Sequence, residues 1–202
     1  SPVAVQHTIP LFPLSSVLFP DGALHLQIFE VRYLDLIKRC HQQRQPFGVV
    51  SIKQGREVQV PGEVPVLQSV GCTAHIAQFE QVQPTFFRVL CRGDVRFELQ
   101  KVSAGALGVW QGDVTYLPKD PVMDVPSHLQ AYADKLGKVI ASAQQQGVID
   151  QLPISPPYQL DQCGWLANRY AEALPIRTDV KIQLLSEADP LQRLESVVRL
   201  MQ

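Results

Sequence analysis

At about Pro118–Pro126 the chain changes its hydrophobic period. Upstream, apolar residues alternate with polar ones. Leu24, Leu26 and Ile28 alternate with His25 and Gln27, and Val95, Phe97 and Leu99 with Arg96, Glu98 and Gln100. A period of two puts one face of a strand in a core and the other in water. Downstream, Leu129, Tyr132, Ala133, Leu136, Val139, Ile140 and Ala143 recur at helical spacing. A run of strands followed by a run of helices implies an α+β fold or two domains. The division expected is a β domain over residues 1–120 and a helical one over 121–202.

The β part opens on "IPLFPLSSVLFPDG", Ile9 to Gly22, an apolar stretch punctuated by Pro10, Pro13 and Pro20. Proline fixes φ and donates no hydrogen bond, so it suits strand starts, edges and turns. The expectation is a short edge strand over Thr8–Leu11. An extended Pro13–Phe19 then turns Leu14, Val17, Leu18 and Phe19 inward, and Pro20-Asp21-Gly22 forms a turn in which Gly22 accepts positive φ. A helix follows from Glu30 to about Gln42, with Val31, Leu34, Ile37 and Cys40 as one apolar stripe and Tyr33 and Leu36 beside it. Further strands are expected at Phe47–Ile52, along "LQSVGCTAHIAQF", along "TFFRVLC" after a turn at Gln81–Pro84, and over Val95–Leu99. Gly105–Leu117 reads as two short strands broken near Gly112-Asp113, and Lys53–Glu63 reads as a loop. Closing so many short strands into a small barrel removes their exposed edges.

In the helical part, Ser127 is expected to cap the first helix and Asp161 the one carrying Trp165, Leu166, Ala167 and Tyr170. Thr178 or Asp179 caps a shorter helix. Asp189-Pro190 is an N-cap followed by proline at the first helical position.

Composition narrows the function. Lys and Arg total 18 against 19 Asp and Glu, a formal net charge of −1, and no basic run stands out. That balance argues against nucleic acid as a partner. The first basic residue, Arg32, lies far from the start, and no apolar run reaches the length of a membrane span, so neither a secretory signal nor a membrane partner is expected. Four cysteines, Cys40, Cys72, Cys91 and Cys163, contain no C-x-x-C pair. They read as reduced thiols of a cytoplasmic protein.

Catalytic signatures are missing. The sequence holds no phosphate-loop motif, no nucleophile elbow and no H-E-x-x-H. "GALGVWQGD" is glycine-rich but reads as turn chemistry. Cys72, His75 and Cys91 carry ligand atoms, with His75 expected roughly opposite Cys91. Residues three apart on a strand face opposite ways, so Cys72 and His75 diverge. No metal and no cofactor is expected. Glu30, Arg32 and Tyr33 at the helix start, and the adjacent Phe86 and Phe87, are the remaining candidates. Arg32 either receives a peptide carboxylate or ties the helix to backbone carbonyls.

The ordered set "IPLFPLSSVLFPDGALHLQIFEVRY", "FGVV", "VGCTAHI", "GDVRFEL" and "KIQLLSEADPLQRLESVVRLM" resembles the N-terminal substrate-binding domain of Lon-type ATP-dependent proteases. It is closest to the stand-alone bacterial proteins carrying that domain. The resemblance spans the chain from about Thr8. It implies a PUA-like β-barrel with one inserted helix, followed by an α-helical bundle, and it places the proline-punctuated stretch in the barrel core. Where relatives often carry an Asp-Gly-Arg-like turn, this chain has Gln83-Pro84-Thr85. The family's ATPase and Ser–Lys protease modules have no counterpart in these residues. The function implied is therefore a non-catalytic binding protein for polypeptide segments or a protein partner. Its groove is expected at the junction of barrel and helices, lined by Arg32, Tyr33, Phe86 and Phe87. An RNA-binding PUA-like module is the alternative, and a small-molecule enzyme without a visible motif ranks third.

Overall fold

The structure, a computed structural model, describes residues 5–54 and 65–202. It combines a mostly antiparallel seven-stranded sheet with five α-helices among those residues. By its internal contacts the chain divides into two compact units, Ser1–Pro118 and Lys119–Gln202.

In the first unit the strands are β1 (Gln6–Leu14), β2 (Ala23–Ile28), β3 (Phe47–Gln54), β4 (Val66–Leu67), β5 (Val70–Gln83), β6 (Phe86–Ala104) and β7 (Trp110–Tyr116). The pairings run β1–β7–β6–β5–β3, and β3 returns to pair in parallel with β1. β4 is added to β3, and β2 lies against β6. Helix α1 (Val31–Gln43) contributes Tyr33, Leu36, Ile37 and Cys40 to a core shared with Phe12, Ile28, Phe47, Phe87 and Cys91. Full burial of each such large side chain stabilises the fold by about 1.5–3 kcal/mol.

The opening stretch differs from its expectation. β1 runs unbroken through Pro10 and Pro13 and is no edge strand. Residues 6–10 pair with β7, and Leu11–Leu14 pair with β3. The strand changes partner beside Pro10, where it has no N–H to give. Beyond it, Leu18 and Phe19 turn inward as expected, and Ser51 Oγ donates to the Ser16 carbonyl at 2.8 Å. The following turn places positive φ on Asp21 (64°), not on Gly22. Aspartate tolerates that region better than most residues. The turn is fixed by bonds from Asp21 N to Gly93 O (2.8 Å) and from Gly93 N to Gly22 O (2.9 Å).

Those same bonds explain why β6 does not stop at Gly93 and instead continues for 19 residues. β7 likewise is one strand. Gly112 pairs with both Ile9 and Val102. A Cβ there would stand 2.7 Å from a Leu99 methyl and 3.0 Å from Leu11, so this glycine marks close packing, not a break. Conversely "LQSVGCTAHIAQF" is divided between β4 and β5, and the hairpin turn narrows to Pro84-Thr85. Of the expected Lys53–Glu63 loop, Lys53 and Gln54 belong to β3, and the remainder lies outside the described residues.

The second unit holds α2 (Gln130–Gln145), α3 (Cys163–Ala173), α4 (Thr178–Ser186) and α5 (Pro190–Met201). Helix α3 is buried along most of its length and packs on α4 and α5. Tyr170 Oη donates to the Tyr132 carbonyl of α2 at 2.6 Å. Asp189 caps α5 as expected, its Oδ1 accepting from Leu191 N (2.9 Å) and Gln192 N (3.4 Å). The other expected caps move. Ser127 heads a 3₁₀ turn that precedes α2, Gln162 stands at the N-cap of α3, and Arg177 at that of α4.

Candidate binding surface at the start of helix α1

Helix α1 is rotated from the stripe that its apolar spacing suggests. Its buried face is Arg32, Tyr33, Leu36, Ile37 and Cys40, while Val31 is 79% exposed. Two contacts set this rotation. The Tyr33 ring stacks on Phe12 with centroids 4.2 Å apart. Arg32 Nη1 donates to the Gly108 carbonyl at 3.2 Å, and its guanidinium lies 4.4 Å from the Tyr33 ring centroid. An aromatic pair and a cation–π contact outweigh the burial of one valine. Glu30 stands at the N-cap with its carboxylate 3.5 Å from Arg32 Nη2.

Arg32 therefore holds the 106–108 turn beside the first turn of α1. That turn carries Leu107 with φ at 59° and its side chain 70% exposed. A left-handed backbone costs a non-glycine residue roughly 1–2 kcal/mol. An apolar side chain in water does nothing to offset that cost. Phe29, the residue between β2 and the N-cap, is 57% exposed. Phe29, Val31 and Leu107 thus present apolar side chains to solvent around one buried arginine.

Beside them lies a cavity of about 170 Å³, lined by Phe12, Pro13 and Leu14 of β1, His25–Phe29 along β2, Glu30 and Tyr33. Its walls are mainly apolar. This combination of an apolar pocket with few polar groups suits recognition of an apolar ligand.

Of the four candidate residues, Arg32 and Tyr33 fall together at this surface. Arg32 takes the tethering role through a backbone carbonyl. Phe87 is 2% exposed, paired across from Ile28 and packed against Phe79, so its surface belongs to the core. Phe86 is half-buried, with the Arg88 guanidinium 5.8 Å from its ring. The sequence reading missed Phe29, Val31 and Leu107. Its available signal was three apolar residues beside a cap and inside a glycine turn, where polar residues are usual.

The thiols and histidine do not converge. His75 pairs across from Arg92 and bonds Asp94 at 3.0 Å, while Cys91 faces Ile76. No cluster of three or more metal-ligating side chains occurs among the described residues. Burial pushes the Cys40 thiol up to about 11 and Cys91 up to about 12. Thiols held this firmly protonated are poor nucleophiles. No helix among the described residues is long and apolar enough to cross a membrane.

Comparison with known proteins follows the same line. No curated protein matches the chain. Among solved structures, the Lon N-terminal domain protein from Xanthomonas campestris is similar with a TM-score of 0.73 and 28% identity, over 96% of this chain and 98% of that one. The N-terminal domain of Mycobacterium avium complex Lon protease shares the fold, with a TM-score of 0.57 and 16% identity over 96% and 97% of the two chains. The family model of the ATP-dependent protease La (LON) substrate-binding domain matches residues 8–202. With nearly the whole length matched, the chain belongs to the LON substrate-binding domain family.

Proposed function

We propose that this protein recognises exposed apolar segments of unfolded polypeptide, and that Phe29, Val31 and Leu107 form the surface that meets them. Membership of the substrate-binding family supports a role in substrate recognition. The observation that carries the choice of surface is Leu107, an exposed apolar side chain on a left-handed backbone. Backbone strain concentrates at functional sites. Arg32 and Tyr33 act here as positioning residues. In the same reading, the circuit of strand pairings is the PUA-like barrel, and the helices of the second unit form the bundle. The role is binding, without catalysis.

The test is fluorescence anisotropy of a labelled unfolded polypeptide titrated with the protein, with a short RNA in parallel at two salt concentrations. Saturable polypeptide binding that changes little with salt is expected. The pair Phe29→Asp with Leu107→Asp is expected to weaken it about tenfold or more, since two apolar contacts are lost to desolvated charge. Equal affinity of wild type and double variant would sink this choice of surface. RNA binding with steep salt dependence would replace it with the nucleic-acid reading.

A further inference from the structure

We propose that an extended polypeptide segment binds along the cavity as an added β-strand on the open edge of β2. This rests on the reading above that the surface binds polypeptide, and it specifies the conformation and sequence class of the ligand.

Among the described residues, β2 pairs with β6 alone. Its residues Leu24–Ile28 make no further backbone hydrogen bond to those residues. Along a strand, backbone N–H and C=O groups point alternately to the two sides. About half of those in β2 therefore face away from β6, which is the template that an unpaired edge presents. The cavity runs along that edge, from His25 to Phe29. Across it stand Phe12, Pro13 and Leu14, the end of β1 that is paired with β3. The cavity thus lies between residues of β2 and the end of β1. Pro13 has no N–H to offer, so the main ladder forms with β2.

The lining also selects the ligand. The cavity has room for one or two aliphatic side chains, not for a whole peptide, so the backbone runs along the edge and inserts alternate residues. The inserted side chains meet Phe12, Leu26, Ile28 and Tyr33, all buried, while the residues between them lie beside the exposed His25 and Gln27. Glu30 is the only carboxylate in the lining among the described residues, and Arg32 Nη2 lies 3.5 Å from it. A groove without net charge complements an uncharged segment. The favoured ligand is a short, uncharged stretch alternating apolar and polar residues. This is the pattern of a strand exposed by unfolding, and strand addition is a recurring mode of peptide recognition.

The experiment uses a short labelled peptide alternating Val and Gln, and two N-methylated versions of it, one methylated at the Val positions and one at the Gln positions. In an added strand, only one of these sets points its N–H groups at β2. That set is expected to lose affinity about tenfold or more, and the other to stay within about threefold of the parent. Hydrogen exchange, read on the full chain, is expected to slow at the amides of Leu24–Ile28 that face away from β6. A difference between the two sets together with this protection supports strand addition, and the absence of either overturns it. If an unfolded polypeptide still binds in that case, the polypeptide reading stands and only strand addition falls. If neither peptide nor polypeptide binds, the underlying reading falls as well.

Discussion

Arg32 in the first unit and Arg193 in the second are both buried, 9% and 1% exposed, yet they do different things. Arg193 makes five hydrogen bonds, one for each N–H of its guanidinium. Nε reaches Leu184 O at 3.1 Å. Nη1 reaches Asp120 Oδ2 at 2.7 Å and Asn168 Oδ1 at 3.2 Å. Nη2 reaches Asp120 Oδ1 at 2.9 Å and also the Glu187 carbonyl. It joins α3, α5, the end of α4 and the segment before α2. The groups it holds are buried or half-buried. Arg32 also binds a backbone carbonyl, but the turn it holds presents Leu107 to water. Burial of an arginine therefore says little about function. What distinguishes the two is whether the elements they fix end in a packed core or in exposed apolar surface.

Removing Arg193 should give the largest effect. Arg193→Met takes this donor from the Asp120 carboxylate, the Asn168 amide oxygen and the Leu184 and Glu187 carbonyls, and breaking a buried pair in this way costs up to about 3–5 kcal/mol. The two tryptophans allow the units to be followed separately, because Trp110 lies in the first and Trp165 in the second. In a Trp110→Phe background, urea unfolding read by Trp165 fluorescence should shift strongly. With Trp165→Phe instead, the Trp110 transition should shift far less. Equal shifts would mean that Arg193 serves the whole molecule and would dissolve the contrast.

Arg32→Met comes next. It retains apolar packing on Tyr33 but loses the bond to Gly108 and the cation–π contact. A loss of about 1–3 kcal/mol is expected in the first unit. Polypeptide affinity should fall as well, because Leu107 loses its tether. Anisotropy and urea unfolding on the same sample separate the two. Lost stability with full affinity would show that Arg32 is structural in the sense that Arg193 is.

The two units also differ in how much of them the residues foretold. The change of period near Pro118 was legible because periodicity reports burial directly, and the Asp189-Pro190 cap because it is local chemistry. Glycines in the first unit misled. Gly112 read as a break, and the two strands expected on either side of Gly93 are one, because both glycines are places where a neighbouring segment needs the space of a missing Cβ. Sequence alone does not separate those two uses of glycine. The rotation of α1 was hidden for a related reason. Val31 fits the apolar stripe as well as Tyr33 does, and the Phe12 ring and the Gly108 carbonyl decide between them. Both partners are remote in sequence. The exposure of Val31 follows from that rotation, so the apolar spacing of the helix could not have pointed to it.

The smallest expected effect cuts the contrast most finely. At Leu107 stability and binding should pull in opposite directions, whereas at Arg193 they should not. Leu107→Gly removes the cost of φ at 59° and deletes an apolar side chain that is largely in water. Glycine adopts this backbone freely, but it also gains conformational entropy in the unfolded chain. The net expectation is a gain of up to about 1 kcal/mol in the Trp110 transition. Polypeptide affinity should nevertheless drop several-fold, since a hydrophobic contact of the surface has gone. A variant that is more stable and binds less well would show that the strained leucine is kept for recognition. Destabilisation on losing Leu107 would show instead that its side chain packs to hold the turn, and the surface would have to be sought around Phe29 and Val31 alone.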